Sequence, residues 1–240
     1  MEFAPIDELA RRRLGDLYRA HGWFHDAYRQ YQTLREIRPD DPSVLLLLAQ
    51  AAADAGRTDE ALRLERGLMQ TSQPGDSVGI ARTALLWSSV RFARLRKAAE
   101  GDEERKTALT RRMRASGVLR EAGQLRVTLV WSHPDAQLAL WGGLPGLSAT
   151  RPNDITPEYG LEAFDLEEQE AGTYTFEVRR TADENAELTP VTAQLVVIWN
   201  EGQDDEQIEL VELSFDRERT TYAWTLSGRT LTETPVGGAR

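Results

Sequence analysis

The spacing of apolar residues changes once along this chain. In the first half, apolar side chains recur at helical intervals; in the second they alternate with polar ones, the period expected of strands with one buried face. The switch falls at Gly123. Before it, the pattern predicts helix pairs broken at Gly22 and Gly56, where a helix stops and the chain takes a positive φ. Asp41-Pro42 reads as an N-cap followed by proline at the first helical position, and Pro39 and Pro74 follow the two pairs. Two more helices are predicted over residues 77–98, carrying Ile80, Ala84, Leu85, Trp87, Phe92 and Leu95, and over 103–121, carrying Leu109, Met113 and Leu119. After the switch, about seven strands are predicted: Leu125–Trp131, Gln137–Trp141, Leu161–Leu166, Thr173–Arg179, Val191–Trp199, Gln207–Phe215 and Thr221–Leu226. Turn residues lie between them, among them Gly142-Gly143, Pro145-Gly146, Gly172 and Gly228. Val127, Leu129, Trp131, Tyr174, Phe176, Val178, Leu195, Val197, Trp199, Tyr222 and Trp224 are the expected core.

The helical half repeats itself at an offset of 34 residues, which pairs Leu14 with Leu48, Gly22 with Gly56, Asp26 with Glu60, Ala27 with Ala61 and Leu34 with Leu68. Leu14, Gly15, Tyr18, Gly22, Ala27, Tyr31 and Pro39 together resemble the tetratricopeptide repeat family. The second copy is weaker, with Ala49, Ala52, Glu65 and Gln73 where that family prefers other types. Stacked units need about three copies to bury a continuous core, so residues 77–121 read as a degenerate closing pair. The second half resembles the C-terminal β-domain of bacterial YfaP-like proteins over Leu125 to Leu226, through Leu125–Trp131, Asp154-Ile155-Thr156, Tyr159-Gly160 and Ala171-Gly172-Thr173-Tyr174. The expected class is α+β multidomain: a tetratricopeptide-type α-solenoid over residues 1–122, followed by an antiparallel β-sandwich over 123–240.

Charge sharpens this division. Residues 1–122 hold 21 Lys and Arg against 18 Asp and Glu, and residues 123–240 hold 8 against 21. The acidic half is expected to repel phosphates, so nucleic acid is not an expected partner. The basic side chains concentrate between Arg91 and Arg114, and the closing helices are expected to dock on the acidic β-domain with apolar support from Trp87, Phe92 and Leu95. No apolar run approaches the about 18 residues of a membrane span, and Met1–Leu14 carries Asp7, Glu8 and three arginines in place of a secretory core. Localisation stays open; the cytoplasm is the expectation unless the chain belongs to an exported protein. Zero cysteines exclude disulfides, thiolate zinc sites and a cysteine nucleophile.

Candidate chemistry is sparse. Ser132, His133 and Asp135 are near neighbours in one strand and turn, so they do not readily converge as a triad. His21 and His25 flank a helix-breaking glycine, and Gly142-Gly143-Leu144-Pro145-Gly146 lacks the lysine and following helix of a phosphate loop. The acidic runs Glu167–Glu170 and Glu201–Glu206 lack the spacing of a calcium loop, and the β-domain departs from its relatives' acidic pattern at Ser132–Trp141. No metal, cofactor or catalytic activity is expected. The expected function is a non-catalytic protein-interaction or scaffold module. The repeat resemblance implies a groove lined by Leu9, Arg12, Asp16, Arg19, Ser43, Leu46, Gln50 and Ala53, with Arg12 and Arg19 pointing away from the core. The alternative is a β-sandwich binding carbohydrate or another small ligand on an aromatic platform, for which Trp141 is the candidate and the repeats a support.

Overall fold

A computed structural model describes residues 7–70, 78–118, 125–133, 136–152, 154–156, 159–166, 169–181 and 190–236. Among them, six helices precede two antiparallel sheets, an α+β arrangement. The helices are α1 (Glu8–Ala20), α2 (Phe24–Ile37), α3 (Pro42–Asp54), α4 (Thr58–Gln70), α5 (Val78–Lys97) and α6 (Glu103–Ser116). Two compact units divide the chain. One holds α1 to α4 and α5 as far as Phe92; the other holds Ala93–Arg114 together with the sheets. This division falls inside α5, whereas the change in charge and periodicity falls at Gly123, which lies outside the described residues, as does Leu119.

In the first unit α1 packs on α2, α2 on α3 and α3 on α4. The 34-residue offset is carried into three dimensions: α1 and α3 begin and end 34 residues apart, and α2 and α4 begin 34 apart. Their ends are built alike. Gly22 and Gly56 take φ of 72° and 79°, and the residues after them, Trp23 and Arg57, donate N–H bonds to Tyr18 O (2.8 Å) and Ala52 O (2.7 Å). Asp7 and Asp41 cap α1 and α3, accepting from Ala10 N and Ser43 N at 2.9 Å each. Close approach of α1 and α2 depends on Gly15, since a Cβ there would lie 2.8 Å from the Tyr31 ring. Tyr31 cannot easily yield: it is fully buried and its hydroxyl donates to Asp16 Oδ1 at 2.5 Å. The third helix of the series departs from the pattern, because α5 runs 20 residues against 13 for α1 and α3. Its Ser88 Oγ and Arg91 Nε donate to Glu65 on α4 at 2.9 and 2.8 Å, in a fully buried cluster. Burial holds the Glu65 carboxyl above the usual range, against the opposing pull of Arg91 and Ser88.

The second unit contains strands β1 (Leu125–Trp131), β2 (Leu138–Gly143), β3 (Asp154–Thr156), β4 (Leu161–Leu166), β5 (Thr173–Arg180), β6 (Val191–Trp199), β7 (Gln207–Phe215), β8 (Thr221–Ser227) and β9 (Thr230–Thr234). One sheet has the order β3-β4-β1-β6-β7 and the other β2-β5-β8-β9, with every pairing antiparallel. All eleven expected core residues lie in one buried cluster fed by both sheets. Two strands exceed the seven expected. β3 has only three residues, and β9, Thr-Leu-Thr-Glu-Thr, has one apolar side chain and is mostly exposed. Burial also departs from the half-buried expectation. β5 and β8 do alternate, but β1 is buried at all seven positions and β6 at eight of nine. The face of this sheet turned from the shared core carries Arg126, Thr128, Val130, Gln194, Val196 and Ile198, all buried. Residues of the same unit reach it: Arg94 Nε donates to Gln194 Oε1 at 2.8 Å. Arg126 answers Glu201 at 2.8 Å and Asp165 at 3.5 Å.

Two stability experiments follow. Gly15→Val is expected to lower stability by about 1–3 kcal/mol through overpacking against Tyr31, and Gly22→Ala by about 1–2 kcal/mol through left-handed strain, since open space surrounds that position. Denaturant titration checks both, and an unchanged midpoint for Gly15→Val refutes the close approach. Glu65 sets a pH dependence. Its folded pKa is raised, so the carboxyl binds its proton more tightly in the folded state, and that contribution is full below about pH 4.3, the unfolded value, and is lost as pH rises through the folded value. Thermal unfolding across this window is expected to be flatter for Glu65→Gln than for the native chain.

Candidate functional site

Of the eight residues expected to line a groove, the structure leaves two freely accessible. Leu9 is 59% exposed and Arg12 is exposed. Ser43 and Ala53 are half-buried, and Ser43 belongs to the cap of α3 through its N–H. Asp16 is half-buried and holds the Tyr31 hydroxyl; burial, above all, raises the Tyr31 pKa in turn. Leu46 and Gln50 are 0% and 1% exposed. Arg19 requires the largest correction: expected to point away from the core, it is 5% exposed, with Nε 3.3 Å from Asp54 Oδ2 on α3. Its long side chain spans from α1 to a carboxylate that follows a small residue, Ala53. A charge-reversing change there removes a structural pair and leaves Asp54 facing a like charge.

The accessible surface of α1 is a different stripe. Leu9, Arg13 and Leu17 are spaced four residues apart and so share a face, and Leu17 is 50% exposed while Arg13 is exposed. Just past the helix end, Trp23 is 55% exposed, with the His21 ring stacked at 5.2 Å and the Tyr18 ring at 5.7 Å. Sequence reasoning named Leu9 and Arg12 but missed Leu17 and Trp23. The signal for Leu17 was its spacing of eight residues from Leu9, which puts both on one side of α1; Trp23, past the helix end, had no periodic signal. The carboxylates nearby are already engaged: Glu8 pairs with Arg38 at 2.6 Å and Asp7 caps the helix. Arg12 and Arg13, by contrast, form no ion pair among the described residues. The face is therefore apolar with positive charge.

Trp131 and Trp199 lie in the core as expected, and Trp141 is the more accessible of the three. Trp131 and Trp199 are 3% and 1% exposed, and Trp131 Nε1 donates to Ala136 O at 3.0 Å. Trp141 is half-buried, with the Arg179 guanidinium 5.2 Å from its ring centre and held there by two bonds to Glu177. The cation occupies a ring face that a sugar would stack on. Ser132 and His133 are half-buried, and Asp135 lies outside the described residues.

In the second unit a cleft of about 670 Å³ lies between the end of α5, α6 and the turn from β6 to β7. Arg96 and Glu206 pair within it with side chains 9% and 5% exposed, and Arg96 Nη1 also donates to Thr110 Oγ1. Burial raises the Glu206 carboxyl, while the Gly202 N–H and Arg96 oppose that rise. Lys97 with Glu100 and Lys106 with Glu103 form exposed pairs along its rim, at 3.2 and 3.1 Å. The lining offers Lys, Arg, Glu, Asp, Thr and Gln but no His, Ser or Cys, so its chemistry is charge pairing. Among the described residues no cluster of His, Cys, Asp and Glu is arranged to hold a metal ion, and no helix is long and apolar enough to cross a membrane. The chain matches no family model, no curated protein and no solved structure, so its function is argued from this geometry.

Proposed function

We propose that this chain is a non-catalytic protein-interaction module, a tetratricopeptide-type helical array joined to a β-sandwich, and that it holds a protein partner on the outer face of α1. One observation carries the reading: Leu9, Leu17 and Trp23 stay exposed beside Arg12 and Arg13, which form no ion pair among the described residues. Leaving large apolar side chains in water forgoes roughly 1.5–3 kcal/mol each relative to burial, and Trp with Arg is the pair of residue types that most often anchors an interface. The eight-residue groove is a weaker candidate, because Arg19, Leu46 and Gln50 are already buried within the chain. The small-ligand alternative is the weaker reading, because Arg179 covers one face of the Trp141 ring.

The test is affinity capture with the full chain followed by comparison of two variants. Leu17→Ser with Trp23→Ser removes exposed side chains, so folding is expected to be retained and capture of the partner lost. Arg19→Glu is expected to lower stability by about 1–3 kcal/mol, since it places a buried glutamate beside the half-buried Asp54, and to lower the melting temperature by several degrees. Undiminished capture by the folded double variant would remove α1 as the binding face.

A further inference from the structure

We infer that the segment received by α1 is an amphipathic helix bearing carboxylates, seated as α2 is seated against α3. This rests on the reading of α1 as a partner-binding face. The 34-residue offset makes α1 and α3 equivalent helices, yet their neighbours differ: α3 packs on α2 and on α4, while α1 packs on α2, its counterpart of α4. The neighbour that precedes α3 therefore has no equivalent before α1 among the described residues. Exposure follows the same logic. Leu47 and Ala51, which correspond to Arg13 and Leu17, are 3% and 0% exposed, whereas Leu17 is 50% exposed and Arg13 lies open. The same offset maps Arg57 onto Trp23. Arg57 lies over the Tyr28 ring of α2 at 4.5 Å, while Trp23 stands uncovered. An incoming helix in the place of α2 would set an apolar or aromatic side chain on Trp23 and Leu17.

The chemistry of that helix follows from what α1 substitutes for α3. Where α3 has Leu46 and Leu47, α1 has Arg12 and Arg13. Two guanidinium groups with no ion pair among the described residues, Arg13 within the Leu9–Leu17 stripe and Arg12 beside Leu9, select a helix whose own apolar stripe is bordered by Glu or Asp, since Arg donates to carboxylates in bidentate geometry. An extended strand would bring unsatisfied backbone groups against a helix side that offers no open edge, whereas a helix satisfies its own.

The probe is a hydrocarbon-stapled peptide of 14 residues, the length of α2, without Trp, with apolar residues at helical spacing bordered by Glu. Controls replace Glu by Lys, or interrupt the helix with proline. The readout is a blue shift of tryptophan emission, since Trp23 is the most exposed tryptophan described, together with calorimetry on the full chain. The Glu peptide is expected to bind about tenfold more tightly than the Lys peptide, because exposed ion pairs with Arg12 and Arg13 replace like-charge contacts. Binding is expected to weaken about tenfold in Arg12→Glu with Arg13→Glu and to vanish in Leu17→Ser with Trp23→Ser. Equal binding by the proline-interrupted peptide overturns the helical occupant, and equal binding by the Lys peptide overturns the acidic one. Self-association of the chain that is lost in Leu17→Ser, without peptide binding, makes a second copy the occupant and also overturns it. Absence of any peptide binding rejects the inference, while partner capture that still depends on Leu17 and Trp23 would leave the interaction reading standing.

Discussion

The sheet β3-β4-β1-β6-β7 is buried on two faces along its central strands, and that constraint governs the second unit. A sheet with one wet face can place any polar residue outward, but β1 has no such outlet. Every charge it carries must therefore find a partner, because an unpaired buried charge costs several kcal/mol. Arg126 finds Glu201 and Asp165. Gln194 is held between Arg94 and Glu212. On the core side, Glu162 accepts the Leu140 N–H of β2 at 2.6 Å and pairs with Arg151, so one buried carboxylate ties the edge of the second sheet to β4 of the first. Arg94 and Arg96 are then part of the same solution, which explains why the end of α5 belongs with the sheets.

The first unit meets the same problem at Glu65, and in another way. Glu65 stands where the 34-residue offset places Tyr31 in the first copy, and α4 buries it completely. Ser88 and Arg91 on α5 supply the donors, and Arg91 also lies over the Trp87 ring at 4.9 Å. The departure from the repeat pattern and the departure of α5 from repeat length thus share a cause: a longer closing helix carries the groups that a buried glutamate needs. Breaking this cluster by removing one member is costly even though a wholly apolar replacement need not be.

Much of this was legible from local pattern. Parity along the strands identified the core, because residues two apart share a face whatever the sheet order; the edges of β1, β4, β6 and β7 were read correctly for the same reason. The repeat offset located Gly22 and Gly56, and the Asp41-Pro42 dipeptide located the cap of α3, since those positions have stringent backbone demands. The accessible face was not legible. Register equates positions on a helix but says nothing of what the next helix offers, so Arg19 could be placed on a groove position while Asp54 in fact draws it inward. β3 and β9 escaped because a three-residue strand and an exposed one bury too little to leave a hydrophobic pattern. Two-faced burial of β1 was masked by Arg126 and Thr128, which read as outward residues until their partners are known.

Charge shows most clearly why local arrangement outweighs composition here. Counted to residue 122 the helical half is basic, but residues 93–114 carry eight Lys and Arg against four Asp and Glu and belong to the second unit. What remains, residues 1–92, holds 12 Lys and Arg against 13 Asp and Glu. No general positive field is left to attract an acidic partner. Attraction must arise within roughly 8 Å, the screening length at physiological salt, and there the distribution is lopsided: Glu8, Asp16 and Asp54 are committed to Arg38, Tyr31 and Arg19 respectively, while Arg12 and Arg13 have no ion pair among the described residues. The positive character of α1 is produced by the fold consuming its carboxylates, and it is confined to the helix that also leaves Leu17 and Trp23 in water.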